Sequence, residues 1–120
     1  MATIKSYTDI EQSKKLAKIL PTDSADMFHF IHEVDTVGFG YKKDAAEFYS
    51  KTEFEYIPCW SLTALLGVLP LVDFTTPQLI GTSKTLYRCM YNDDLKSHAY
   101  DNPIDACVEI ILKLNKKELI

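Results

Sequence analysis

Apolar residues first recur at helical spacing in Ile10, Leu16, Ala17, Ile19 and Leu20, while Lys14, Lys15 and Lys18 lie off that stripe. Thr8-Asp9-Ile10-Glu11 matches a capping box, with Thr8 as N-cap, and Pro21 cannot continue the ladder, so the pattern predicts a helix over 9–20. The segment 27–34 is ambiguous: Met27, Phe30, Ile31 and Val34 fit a helical period, but the aromatic and β-branched content suits a strand. Val37, Phe39 and Tyr41 then alternate with Gly38 and Gly40, which decides for a hairpin turning through Asp35-Thr36. From Lys42 to Tyr56 charges and aromatics mix; this stretch has room for one helical turn at 44–49 and is expected to be the most mobile part of the chain.

Trp60, Leu62, Ala64, Leu65, Leu66, Val68 and Leu69 surround a helix on every side, a pattern expected of a helix buried all round, with Pro58 in its first turn and Gly67 and Pro70 ending it. Trp60 and Leu66 are therefore placed in the centre of the core. On that basis Leu66→Ala is expected to cost about 2–5 kcal/mol. Residues 71–74, 79–82 and 85–91 read as short strands, with Leu86, Arg88 and Met90 on one face and Tyr87, Cys89 and Tyr91 on the other, and a second hairpin among them. The last element is the clearest: Asn102 as N-cap, Pro103 at the first helical position, Asp105 in the first turn, and Ile104, Cys107, Val108, Ile111 and Leu114 as one stripe. Glu109 and Lys113 are assigned to the outer face as an i,i+4 pair, so Glu109→Ala is expected to change stability by about 0.5 kcal/mol or less. Helices and hairpins in this order, without a βαβ repeat, argue an α+β single-domain sandwich in which about three helices cover an antiparallel sheet.

Residues 4–21 with 24–27, the stretch IPCWSLTALLGVLP at 57–70 and the stretch DNPIDACVEIILKL at 101–114 together resemble a family of short uncharacterised proteins from gut Bacteroides and their phages or mobile elements. The resemblance covers somewhat under half of the chain. It implies a small intracellular protein of mobile-element type and carries over no catalytic residues.

At 120 residues, 47% hydrophobic and 12% aromatic, the chain suits one domain, 1–120, with a real core, and the composition excludes disorder, collagen and coiled coil. The net charge of −4 disfavours generic nucleic-acid binding, and the acids concentrate in residues 22–55, eight against three lysines. Cys59, Cys89 and Cys107 form no Cys-x-x-Cys pair and read as reduced thiols. With no signal-peptide pattern, and with the uncharged run 57–72 broken by Pro58, Gly67 and Pro70, a cytoplasmic protein without a membrane partner is expected.

His29-x-x-His32, near Asp26, Glu33 and Asp35, has a metal-like composition, but on a strand positions three apart face opposite ways, so both histidines are assigned to partly exposed surface and no metal is expected. Cys59 beside Trp60 at a helix start would need a base, and His98 is not linked to it by anything in the sequence; small core residues are the commoner role of such thiols. Asp93-Asp94 after Tyr91-Asn92 suits a turn. Phosphate-binding glycine loops, nucleophile elbows and zinc-protease helices are absent, and no cofactor is expected. The aromatics Tyr41, Phe48, Tyr49, Phe54 and Tyr56, interleaved with acids in 39–56, mark the candidate surface for a protein partner, since aromatics are enriched in interface hot spots. The expected function is thus a non-enzymatic interaction protein, with self-association left open. The alternative is a nucleic-acid-binding regulator using Lys5, Lys14, Lys15 and Lys18 with Tyr87 and Tyr91 exposed on the sheet.

Overall fold

A computed structural model describes residues 5–31, 35–39 and 55–120, those at 30–31, 35–39 and 55–56 by their backbone alone. Helix α1 spans Ile10–Ala17 and is followed by a single 3-10 turn at Thr22–Ser24. Strands β1 (Met27–Ile31), β2 (Asp35–Phe39) and β3 (Glu55–Cys59) form an antiparallel sheet of order β2-β1-β3. Helix α2 (Leu62–Val68) leads to β4 (Gln78–Gly81), β5 (Tyr87–Asn92) and β6 (Leu95–Lys96), a second antiparallel sheet of order β4-β5-β6, and helix α3 (Pro103–Lys116) closes the chain. The fold is α+β as expected, with its strands in two small sheets rather than one.

The first hairpin is present, but Asp35 and Thr36 already pair with Ile31 and Phe30, so its connection precedes Asp35. Strand β3 was not expected. Pro58 sits in it opposite Phe28 and not in a helix, because β3 is an edge strand, where a residue without an N–H is tolerated. The helix therefore starts later. Ser61 is its N-cap: its Oγ accepts from Ala64 N at 3.3 Å and donates to Asp26 Oδ2 at 2.5 Å, while Ser61 N donates to Asp26 Oδ1 at 2.9 Å. Starting there rotates the apolar set: Leu65 is fully buried, Leu66 is 39% exposed, and Trp60, fully buried, precedes the helix. The expectation of a helix buried all round, with Leu66 at its heart, is corrected.

Residues 71–74 are not a strand. Val72 and Thr75 exchange two backbone hydrogen bonds, 3.1 and 2.9 Å, around Asp73 (φ 50°) and Phe74 (φ 63°), which makes a tight turn of the two-residue left-handed kind. The hairpin β4–β5 is as expected, within one or two residues, and Asn92 builds the β5–β6 turn by accepting from Asp94 N and Leu95 N at 2.9 and 2.8 Å, so Asp93-Asp94 is turn chemistry.

Helix α1 begins one residue later than the capping box suggested. Asp9 is the N-cap, Gln12 N donates to Asp9 Oδ1 at 2.8 Å and Asp9 N donates to Gln12 Oε1 at 3.1 Å. Helix α3 keeps its predicted cap, with Asp105 N donating to Asn102 Oδ1 at 2.8 Å, and packs on β5, while α2 packs on α3 and α1 on β3. One buried cluster joins Leu16, Trp60, Leu65, Cys89, Tyr91, Ile104, Ile110 and Leu114. Glu109 does not lie on an outer face. Its carboxylate accepts from His98 N and from His98 Nδ1, and Lys113 Nζ donates to Lys96 O at 2.6 Å, so this side of α3 is clamped to β6 and to the segment after it. Glu109→Ala therefore removes the hydrogen bonds from His98, so the premise of a free outer position is corrected.

Candidate functional site

Four places among the described residues stand out. The first is a buried polar node where the chain enters α1. Thr8 N donates to Trp60 O at 3.0 Å, Trp60 N donates to Thr8 Oγ1 at 3.1 Å, and the Thr8 and Ser13 hydroxyls lie 2.8 Å apart. The Thr8 carbonyl is approached by His29 Nε2 at 2.7 Å and by Cys59 Sγ at 3.4 Å. A carbonyl only accepts, so His29 carries its proton on Nε2 and Cys59 is a thiol donor. His29 is 2% exposed and Cys59 fully buried, so the assignment of His29 to partly exposed surface is corrected. The Tyr7 ring meets His29 edge-on at 5.8 Å, and the two residues line an open groove of about 400 Å³ with Asp9, Ile10 and Glu11. Cys59 ends β3 and lacks the helix start that would have activated it. His98, raised as its base, is engaged with Glu109 instead.

The second place is a groove of about 370 Å³ between α1 and α3, lined by Lys5, Gln12, Lys15, Tyr100, Asp105 and Glu109, among others. Asp105 Oδ1 accepts from Lys5 Nζ and from Gln12 Nε2, both at 2.7 Å, Asp105 Oδ2 accepts from Asn102 Nδ2 at 2.8 Å, and Lys5 also pairs with Asp9 at 3.1 Å. Burial pushes the Asp105 carboxyl up, but the bonds from Lys5, Asn102 and Gln12 outweigh it and hold the group below its ordinary range; burial likewise opposes the Lys5 ammonium, and Asp105 and Asp9 outweigh it, so Lys5 is raised. A depressed carboxyl adds stability above the unfolded-state value and loses it as pH falls through the folded one. Urea melts should therefore show stability falling below about pH 4, and Asp105→Asn should flatten that acid limb while lowering stability at pH 7. An acid limb as steep in the variant as in the wild type would disprove it. The raised Lys5 contributes below its own unfolded value and is lost only in strong alkali.

The third place is the pair of thiols between β5 and α3. Cys89 and Cys107 are both fully buried and hydrogen-bond each other, and that bond, with burial, pushes the Cys107 thiol far up. No group of three metal-ligating side chains occurs among the described residues.

The fourth is an apolar tip. Phe74 is 99% exposed and Leu71 63%, with Leu66 nearby in sequence on α2. Phe74 sits at φ 63°, a region costly for an aromatic side chain, and its ring gains no intramolecular burial in return. Beside the tip runs β4, an edge strand among the described residues. Tyr87 exchanges two backbone bonds with Tyr100, and Cys89 O accepts from Ser97 N, so these residues of β5 turn away from β4 while Arg88 and Met90 turn toward Ile80 and Gln78. Leu79 and Gly81 consequently direct their N–H and C=O outward, and no partner meets them among the described residues. The tip was missed in the sequence because Leu71-Val72-Asp73-Phe74 alternates in polarity; Pro70 and Pro77, which bracket it, were the available signal for a loop.

The surface proposed from the sequence lies outside the described residues at Tyr41, Phe48, Tyr49 and Phe54, and Tyr56 is described by backbone alone within β3. His32 and Glu33 also lie outside them. The stacking platform of the nucleic-acid alternative is corrected: Tyr91 is buried, its OH donates to Pro70 O at 2.6 Å and burial pushes it up to about 12, and Tyr87 is half-buried. Lys14, Lys15 and Lys18 are exposed on or just beyond α1, but Lys5 is held by two carboxylates. No helix among the described residues is long and apolar enough to cross a membrane. No family model, no curated protein and no solved structure matches the chain.

Proposed function

We propose that this chain is a non-enzymatic interaction protein, an accessory module that accepts an extended, uncharged strand of a protein partner along the β4 edge, with Phe74 and Leu71 packing on that partner. The observation that carries the proposal is Phe74: a large aromatic held almost wholly in solvent in a left-handed turn, a conformation costly for such a side chain. Backbone pairing to an open edge supplies affinity in this mode, and apolar side chains flanking the edge supply the burial. The charge of −4, the burial of Tyr91 and the engagement of Lys5 favour protein over nucleic acid.

The segment 39–56 remains the second candidate surface. Pull-down from host extract should recover a partner with wild type and lose it with Phe74→Asn and with Ile80→Lys, while Tyr49→Ala/Phe54→Ala keeps it; the reverse pattern moves the surface to 39–56, and equal recovery by all four overturns both assignments. Because asparagine tolerates the left-handed region and the lost ring is exposed, Phe74→Asn should itself raise the folding stability by up to about 1 kcal/mol in a urea melt. A lower stability for that variant would mean that the ring packs on this chain.

A further inference from the structure

We infer that the strand accepted by β4 is β4 of a second copy, so that two chains join their second sheets about a two-fold axis; this rests on the reading of the edge and tip as a docking element. The geometry is self-complementary. An antiparallel two-fold pairing sets Leu79 opposite Gly81 of the second copy, and these are the residues whose N–H and C=O point outward, so each such pair exchanges two backbone hydrogen bonds. Ile80 then meets Ile80 of the second copy on the axis as the close, non-hydrogen-bonded pair. It is 36% exposed and lies on the sheet face opposite to Leu79, which packs on the core.

Edge strands that must stay alone usually carry charge, and Gln78-Leu79-Ile80-Gly81 carries none. Antiparallel pairing also brings the loop bearing Lys84 of one copy toward the turn bearing Asp73 and Phe74 of the other, which matches opposite charges and gives Phe74 an apolar neighbour in Leu86, itself 37% exposed. Pro77 has no N–H to offer, so the pairing stops after three residues and the association is weak and dependent on concentration.

The test uses the whole chain. Sedimentation equilibrium should show wild type passing from monomer toward dimer between about 1 and several hundred μM, the range of small interfaces, and Ile80→Lys, which sets like charges against each other on the axis, should remain monomeric. If that variant fails to fold by circular dichroism, cysteine cross-linking decides. Ile80→Cys places two sulfurs on residues about 4.5 Å apart at Cα, within disulfide reach, whereas Gln78→Cys places them roughly 14 Å apart. The three native thiols are buried and do not compete. Under mild oxidation by copper phenanthroline, Ile80→Cys should give a covalent dimer and Gln78→Cys none. A monomeric wild type at every concentration, or equal cross-linking by the two variants, overturns the inference. In that case loss of a captured partner by Phe74→Asn and Ile80→Lys still supports the edge as a docking element for another protein, and recovery by both ends that reading as well.

Discussion

Leu65→Ala should lower the folding stability by about 2–5 kcal/mol, measured by urea unfolding, whereas Leu66→Ala, one residue on, should cost about 1 kcal/mol or less. Leu65 is fully buried in the cluster that joins Trp60, Ile104, Ile110 and Leu114, so truncating it loses transfer energy and leaves a cavity between α2 and α3. Leu66 is 39% exposed and has less to lose. Since a domain of this size holds about 5–15 kcal/mol in all, the first change should move the midpoint far and the second barely. Equal effects would mean that α2 is rotated from the orientation that the Ser61 cap imposes.

The second large effect is expected at Thr8. Thr8→Val keeps the shape of the side chain and removes its hydroxyl, which leaves the buried Trp60 N–H without its acceptor and takes a partner from the Ser13 hydroxyl. Stranding a buried donor costs about 1–3 kcal/mol. Thr8→Ser retains the hydroxyl and loses one methyl, worth about 0.8 kcal/mol. The urea midpoint should thus fall further for the valine than for the serine, although valine is the more hydrophobic. The opposite order would show that the node contributes little and that packing of the methyl dominates.

The elements that were legible share a property: their signals are local. Asn102-Pro103 with Asp105 specifies the start of α3 from residues that touch each other within one turn, and the alternation of Leu86 to Tyr91 separates two faces whatever covers them. The first hairpin was readable for the same reason. The cap of α1 was placed one residue early because Thr8 and Asp9 both satisfy the local pattern, and what separates them is Trp60, 52 residues away, which takes the Thr8 hydroxyl. In the central stretch, an apolar run shows that something is buried but not which side of a helix is. Pro58 in an edge strand and Asp26 behind Ser61 set that side, and both are long-range facts.

The candidate site divides in the same way. His29 and Cys59 were visible as residue types, but that both approach the Thr8 carbonyl in a closed interior depends on the pairing of β1 with β3 and the docking of residue 8 on that sheet. The tip at Phe74 was hidden by an alternation that resembles a strand, whereas Asp73 and Phe74 adopt left-handed backbone between Val72 and Thr75 and present the ring to solvent. The amino-acid sequence by itself determined the α+β class, the start of the last helix and the absence of familiar catalytic motifs, since each follows from contacts between near neighbours or from composition. The tertiary structure alone decided which leucine is core, which histidine is buried and which strands pair, because burial and pairing depend on partners far away in the chain that no local pattern names.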